Sequence, residues 1–500
     1  MASLIERISE PEIFIGLVAP IGADNEDVIN SISKYFQNEN YDVVKIKVTE
    51  TFDIMAQMFP PTKALDSKFP FDRYNAKIEY GNQLREITQD NSILAALAIQ
   101  QITGARFKNR MTSRKLNKRV FIIDQFKRPE EIALLRAVYG ELFFQISTYS
   151  KRSARVESLT EKFKLGQKDS QKRGMRSRAE ELVERDENER NQRFGQRVGK
   201  VFHDADFIVN ADVNHKEVCK QIYRFCEALF SSNAITPSKI EYGMFAAQAA
   251  ALRTADLSRQ VGAAIFTKGG EVVATGSNEV PKAGGGTYWS DDKFDDRDYV
   301  RRIDPNQSRK EELVDEIITA LKVKKSKVKA ARKSISDTAF LDALEYGRIT
   351  HAEMCAIIDA ARRGAPLKNT TLFSTTFPCH LCAKHIVAAG IDEVYFLEPY
   401  PKSLASKLHS DSLSIESVER GRFEKFPATK FIHFFGITPR RYREFFQRSR
   451  RKDASGEFQE YSDGQKKPFI DSIYAAHGRV EKRVLKSLVK ALKKAVKSSN

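Results

Sequence analysis

His351-Ala352-Glu353, followed downstream by Pro378-Cys379-His380-Leu381-Cys382, decides what this 500-residue chain can fold into. Thr350 to Gly364 reads as a capped helix with a glycine stop, which puts His351 and Glu353 in its first turn. A second helix is expected to start near Pro378, a residue suited to the first helical position, and to end at Gly390. Cys379 and Cys382 then face the same side, and the first-turn amides of that helix favour the thiolates that a metal needs. One imidazole and two thiolates leave a tetrahedral zinc one ligand short, and an open fourth position separates catalytic from structural sites. His380, between the cysteines, and His385, one turn past Cys382, offer a fourth ligand by spacing alone. A closed structural zinc knuckle, or a C-x-x-C redox pair beside a packing histidine, is therefore the competing reading.

Zinc lowers the pKa of a bound water from about 15.7 to about 7, which makes hydroxide available near neutral pH. Glu353 stands beside the ligands without being one of them. It is placed to take the proton from that water, deliver it to a ring nitrogen of a base and later help protonate the departing amine. H-x-E followed by P-C-x-x-C is the pattern of zinc enzymes that deaminate nucleobases hydrolytically. The expected metal ligands are His351, Cys379 and Cys382, with Zn2+ as cofactor, and the expected catalytic residue is Glu353.

Composition sets the outer bounds. The length accommodates two to four domains with their own cores. Lys and Arg number 83 against 66 Asp and Glu, a formal net charge of +17 that favours polyanions, whether nucleic acid or phosphorylated small molecules. Five cysteines, two of them assigned to metal, together with no cleavable leader and no long apolar run, point to a reducing cytoplasm and away from a membrane.

Near the N-terminus Ile13 to Ala19 reads as a buried strand, followed by Pro20-Ile21-Gly22-Ala23-Asp24 and an amphipathic helix carrying Val28, Ile29, Ile32 and Tyr35. Strand, glycine turn and helix form the context of a phosphate-binding loop, with Gly16, Gly22, Ala23 and Asp24 as its candidate cofactor contacts. Strands at Val43 to Val48 and Val120 to Ile123 extend an α/β nucleotide-binding outline, and Asp124 takes the strand-end place of a magnesium-associated acid. The loop is degenerate, since aligning Gly22 with the second glycine of G-x-x-x-x-G-K-[ST] puts Leu17 at the first glycine, Ala23 at the lysine and Asp24 at the hydroxyl. Binding of a nucleotide (ATP or a dNTP) and a structural or regulatory remnant are both open, whereas competent phosphoryl transfer is not expected. Between Lys151 and Lys200, Lys172, Arg173, Arg176, Arg178, Arg185 and Arg190 are interleaved with acids and read as solvated helical faces, or alternatively as a phosphate-covering lid. A further strand is expected at Phe207 to Val209.

Ser231 to Ser238 is polar, small and broken by Pro237, and reads as a linker. After it come a helix over Glu241 to Arg253, a strand at Val261 to Phe266, a Lys268-Gly269-Gly270 turn and a returning strand at Val272 to Thr275. Strands at Thr371 to Thr375 and Glu393 to Leu397 flank the second metal helix. The expected fold is α/β: a P-loop nucleotide-kinase-like domain over 1–230, a linker over 231–240, a three-layer α/β/α domain over 241–450 and a basic extension over 451–500. Val484, Leu485, Leu488, Leu492 and Val496 make that tail an amphipathic basic helix, which either packs on its own domain or serves RNA or subunit docking. Arg448 to Lys452 is a basic run of the same kind.

Three stretches carry a family resemblance: Ser258-Arg259-Gln260-Val261-Gly262-Ala263, Ala274-Thr275-Gly276-Ser277-Asn278-Glu279-Val280-Pro281, and the two metal segments. They resemble the cytidine deaminase superfamily and, within it, the deoxycytidylate deaminases. The resemblance implies a cytidine-deaminase-like fold for 241–450, a sugar or base contact from Asn278, and a nucleotide pocket shaped by the Gly276 to Pro281 loop. Glu279 stands where those enzymes commonly carry glycine. The whole chain resembles bacterial two-domain deaminases of anti-phage defence, on Gly16 to Gly22, on Asn278 to Pro281 with Gly284-Gly285-Gly286, and on Glu398-Pro399-Tyr400-Pro401-Lys402-Ser403. That resemblance implies conversion of dCTP or dCMP to the deoxyuridine nucleotide and depletion of a pool that phage replication needs. It also implies control through the N-terminal half, and an oligomer of identical chains under an inhibitory RNA or protein regulator is expected with it. Arg259, Lys282 and Lys402, with Arg253, are the cations nearest the expected pocket loops and the candidate phosphate contacts. Arg297, Arg301 and Arg302 are comparable candidates, and Tyr288 and Trp289 are divided between core packing and base stacking. The rival reading is a tRNA or single-stranded DNA base deaminase, but a stranded substrate wants aromatic platforms along a basic groove, and no periodic aromatic set accompanies the metal segments.

Overall fold

The computed structural model describes residues 7–8, 10–108, 118–165, 174–189, 192–336, 338, 341, 345–416, 418–470, 472–473 and 477–499. Lys172, Arg173 and Arg190 of the expected arginine-rich lid lie outside them. The chain forms two compact units, Met1–Pro237 with Phe435–Asn500, and Ser238–Phe434.

In the first unit β1 (Ile13–Val18) is buried at every position, as an uninterrupted apolar run at the centre of a parallel sheet should be. It leads into α1 (Glu26–Asn38), which buries Val28, Ile32, Tyr35 and Phe36. There follow β2 (Asp42–Lys47), α2 (Pro70–Thr88), α3 (Ile93–Lys108), β3 (Arg119–Asp124), α4 (Pro129–Tyr139), β4 (Phe143–Tyr149), α5 (Arg152–Lys164), α6 (Met175–Glu187), β5 (Phe207–Asn210) and α7 (His215–Leu229). These five strands are parallel in the order β2-β3-β1-β4-β5. The doubly wound order reverses at β1. The sequence reading passes over β4, because Gln145, Ser147 and Thr148 interrupt its apolar pattern. All three are buried, and Gln145 Nε2 and Ser147 Oγ donate to the carbonyls of Val201 and Phe202, each at 2.7 Å.

The chain returns to this unit at Phe435, which corrects the expected boundary at 450. Gly436–Ile437 adds an antiparallel strand beside β5. The C-terminal helix His477–Ser499 is anchored by Arg106 of α3, which bridges Glu12 (2.7 Å) and Glu481 (2.6 Å), while His477 Nε2 lies 3.2 Å from Glu12. Leu488 and Ala495 are buried, and Lys482, Lys486, Lys490 and Lys493 are exposed. The basic tail is thus a packed helix of the first unit with a cationic outer face. In the expected linker, Ser231, Ser232 and Asn233 are buried, and Asn233 Nδ2 donates to the carbonyl of Gln459 at 2.9 Å. Of the expected linker, Ala234 to Pro237 remain as the first of two crossings between the units, the second being at Phe434 and Phe435.

The second unit opens on a capping box in which the Glu241 amide donates to Ser238 Oγ and the Ser238 amide to Glu241 Oε2. Its elements are α8 (Lys239–Ala251), β6 (Gly262–Phe266), β7 (Val272–Ser277), α9 (Pro305–Ala320), α10 (Val328–Ser336), α11 (Ala352–Arg362), β8 (Thr371–Thr376), α12 (His380–Ala388), β9 (Glu393–Glu398), β10 (Leu413–Ile415) and β11 (Thr429–His433). The sheet order is β10-β11-β9-β8-β6-β7, with β6 antiparallel to both neighbours and the other pairs parallel. Two glycines set the layers. A Cβ on Gly262 would stand 2.0 Å from the Ala247 carbonyl of α8, and one on Gly276 would stand 2.2 Å from the Ala352 carbonyl of α11. Gly276 pairs with Ala263, the neighbour of Gly262, so the two glycines point to opposite faces. Helices therefore cover both sides, and the expected α/β/α layering is present. Ala352, Ala356 and Ala360 form the small-residue stripe by which α11 lies close on the sheet.

Candidate active site

Two helix starts build the site. His351 is the N-cap of α11, one residue before the expected first turn, and Glu353 is that helix's second residue. Cys379 is the N-cap of α12, whose first helical residue is His380 rather than Pro378. The Cys379 sulfur accepts the Cys382 amide at 3.5 Å, taking the place of the oxygen that usually caps a helix. His351 Nδ1 lies 3.2 Å from the Cys379 sulfur and 3.4 Å from that of Cys382. Among the described residues these three donors form the one histidine, cysteine or carboxylate cluster compact enough for a metal. Neither His380 nor His385 joins it.

The electrostatics fit an anionic, soft donor set. Hydrogen bonding from Cys382 and from His351 holds the Cys379 thiol well below the usual range, while Cys382, next to that charge and buried, is held well above it. The hydrogen bond to Cys379 lifts His351 to about 8. Two sulfurs with one imidazole suit zinc. Glu353 is 4% exposed, and burial pushes its carboxyl upward. The Ser374 hydroxyl of β8 lies 3.2 Å from Glu353 Oε1 and 2.7 Å from the Thr376 carbonyl. Ser374 has no local sequence signal, because only strand pairing brings it under α11.

A cavity of about 370 Å³ opens over His351, Glu353 and Cys379, a volume in the ~300–1,000 Å³ range of small-molecule sites. Arg259, Asn278 and Lys402 line it, as do Asp256 and Asp304. Arg259 is half exposed and pairs with Glu398 at 3.3 Å. Asn278 Oδ1 accepts the Val261 amide at 2.7 Å and its Nδ2 donates to Asp256 at 2.5 Å and to the Arg259 carbonyl at 2.8 Å. Its side chain therefore clasps the 256–261 loop in the cavity wall. Lys282 is elsewhere: it pairs with Asp292 at 2.6 Å and lines a separate cavity of about 190 Å³ with Arg253, Arg362 and Trp289. Arg253 stacks 3.6 Å over Trp289, which makes that ring a shelf for a guanidinium. Arg297, Arg301 and Arg302 do not line the cavity over His351. Glu279 is fully buried. It accepts the Ala255 and Val280 amides at 2.9 Å and faces Arg297 at 3.5 Å, so it ties the 253–255 turn to Arg297.

The N-terminal candidates are not part of this cavity. Gly16 lies in β1, where a Cβ would meet the Phe143 ring at 2.7 Å, so close packing explains it. Gly22 has φ +87°, a left-handed turn that favours glycine. Ala23 donates its amide to the Pro20 carbonyl, Asp24 accepts the Glu26 amide, and Asp124 accepts from the Asn25 side chain at 3.1 Å.

Residues 237–398 match the family model described as the cytidine and deoxycytidylate deaminase zinc-binding region. The chain is 42% identical over 53 residues to deoxycytidylate deaminase of Enterobacteria phage T4, and equally to ComE operon protein 2 of Bacillus subtilis (strain 168); each match covers 11% of this chain and 28% of the relative. It is 39% identical over 72 residues to a probable deoxycytidylate deaminase of Drosophila melanogaster, covering 14% and 34%. The chain thus spans about a third or less of the curated relatives it matches. Among solved structures, it is similar to the dCMP deaminase of cyanophage S-TIM5 in complex with dCMP and dUMP, at 16% identity and a TM-score of 0.23, over 39% of this chain and 98% of that one. No helix among the described residues is long and apolar enough to cross a membrane.

Proposed function

We propose that the second unit is a zinc-dependent hydrolase that deaminates deoxycytidine nucleotides, dCMP or dCTP, to the deoxyuridine nucleotides. The observation that carries this reading is a three-donor cluster, His351, Cys379 and Cys382, whose His351 and Cys379 line a cavity together with the buried Glu353, which stands outside the donor set. The match of 237–398 to a deaminase zinc-binding region supports the same chemistry. A zinc ion held there supplies Lewis-acid activation of water.

The chain's own groups do the rest. Glu353, its carboxyl raised by burial, takes a proton from the attacking water and passes it to the ring nitrogen of cytosine. The same carboxylate then takes the second proton from the hydroxyl newly bonded to the ring carbon and gives it to the amino nitrogen, which leaves as ammonia as its C–N bond breaks and the carbonyl forms, while Ser374 holds Oε1 in place. Arg259 and Lys402 on the cavity wall give an anionic substrate two cations to pair with. The Asp256–Asn278 clasp keeps Arg259 at that wall. The resemblance to anti-phage deaminases supports a role in draining the deoxycytidine nucleotide pool during infection, in an oligomer held silent by an RNA or protein regulator.

The deciding experiment incubates zinc-loaded protein with dCMP, dCTP, CTP and cytosine-containing oligonucleotides and follows uracil products by mass spectrometry. Conversion of the deoxyribonucleotides is expected. Conversion of oligonucleotides alone would overturn the substrate assignment in favour of a nucleic-acid deaminase.

A further inference from the structure

The first unit carries a loop in the place where α/β folds hold phosphates, after β1, where the strand order reverses. Its polar groups already have partners. The Ile21 amide donates to Asp186 Oδ2 at 2.7 Å. Lys127 Nζ donates to Asp186 Oδ1 at 2.8 Å and to the Ala19 carbonyl at 2.7 Å. Asp186 is fully buried at the end of α6, and the Lys127 side chain is 13% exposed. We infer that Asp186 is the built-in anion of this loop, a carboxylate standing where a nucleotide phosphate would sit, and that the first unit takes no nucleotide there.

Three features close the position. Charge comes first: the lysine absent from position 23 is replaced in space by Lys127, whose charge Asp186 already neutralises. A phosphate entering beside that carboxylate sets two anions against one cation in a desolvated place, and one that displaces it strands a buried aspartate. Shape comes second. Gly22 has the Arg155 carbonyl of α5 where a Cβ would be, at 2.7 Å, so that helix lies directly on the turn. Ile21 is buried in an apolar cluster with Leu159 and Phe163 of α5 and Met175, Leu182 and Val183 of α6. The helices that cover the loop are sealed to it by hydrophobic contact, which a diffusing polar ligand must break. Third, the strand-end acid Asp124 is engaged by Asn25. The doubly wound sheet thus keeps the outline of a nucleotide-binding fold, with its anion position filled from within.

Hydrogen exchange of the full-length protein, read by mass spectrometry on peptides covering 19–26, tests this with pyrophosphate and with magnesium ATP as probes. Wild-type exchange in this segment should be unchanged by either probe at millimolar concentration. Asp186→Ala should exchange about tenfold faster or more at Ile21, the expected cost of losing a charge-assisted bond, and pyrophosphate should restore protection by pairing with Lys127. Asp186→Asn, which keeps an acceptor for Ile21, should hold protection near the wild-type level and serves if the alanine variant does not fold. Protection gained by wild-type protein on adding either probe would overturn the inference. So would unchanged exchange at Ile21 in Asp186→Ala.

Discussion

Gly276→Ala tests whether α11 positions the reacting groups through backbone contact with β7. A methyl at 276 would lie 2.2 Å from the Ala352 carbonyl oxygen, 2.5 Å from the Ala356 nitrogen and 2.9 Å from Cys355 Cβ. Carbon and oxygen approach comfortably to about 3.3 Å. Two of the three neighbours are helix backbone, which cannot rotate away, so α11 must recede by roughly 1 Å. His351 immediately precedes Ala352 and Glu353 follows it, so both move with the helix while Cys379 and Cys382 stay on α12. A displacement of that size at a reacting group costs about 10²-fold in rate, and overpacking costs about 1–3 kcal/mol of stability. The assay is kcat for dCMP with zinc-replete protein, alongside zinc content and a urea melt. The expected variant is folded and less stable, with kcat down about a hundredfold. A folded Gly276→Ala protein with full zinc and wild-type kcat would show that the closeness of helix and strand does not set the catalytic geometry.

Other expectations follow from the same structure. Glu353→Gln should retain stoichiometric zinc by elemental analysis and lose about 10²–10⁴-fold in kcat, and near-normal turnover would show that the proton travels by another group. Cys379→Ala removes both a metal donor and the cap of α12, so the purified variant should carry little zinc and melt lower. Arg259→Ala should raise KM for dCMP about tenfold with kcat nearly unchanged, and an equal change for unphosphorylated deoxycytidine would rule out a phosphate contact. In the first unit, Arg106→Met leaves Glu12 and Glu481 buried without their cation and should cost about 3–5 kcal/mol in urea melts. Burial raises the Glu12 carboxyl, yet the His477 hydrogen bond and the Arg106 charge bring it below its ordinary 4.5. Its stabilisation is therefore present above pH 4.5 and lost as pH falls through the lower folded value. The stability gap between wild type and Glu12→Gln should accordingly narrow below pH 4.5.

The chain's local patterns were enough to bring out the cluster of His351, Cys379 and Cys382. An imidazole and an acid at one helix start, and two cysteines at another, are short-range spacings, and helix geometry alone turns them into convergent side chains. The same locality made β1, β2, β3 and the β6–β7 hairpin readable from their apolar runs and glycine turn. β4 escaped because Gln145, Ser147 and Thr148 look like surface residues until Val201 and Phe202 arrive to accept the hydrogen bonds of the first two. Lys282 looked like a pocket cation until Asp292 claimed it and the fold set it in a different cavity.

By itself, then, the amino-acid order determined the donor set, the acid beside it and the alternation of helix and strand around them, because those depend on neighbours a few residues apart. Only the tertiary structure decided which polar residues face one another across long intervals: Ser374 beneath Glu353, Glu279 against Arg297, the tail's Glu481 on Arg106, and Asp186 inside the loop after β1. Asp186 lies in a run of charged residues that any local pattern assigns to solvent. Its burial follows from a lysine and a backbone amide that the chain brings to it from 59 and 165 positions away, a match of charge that no window of sequence contains.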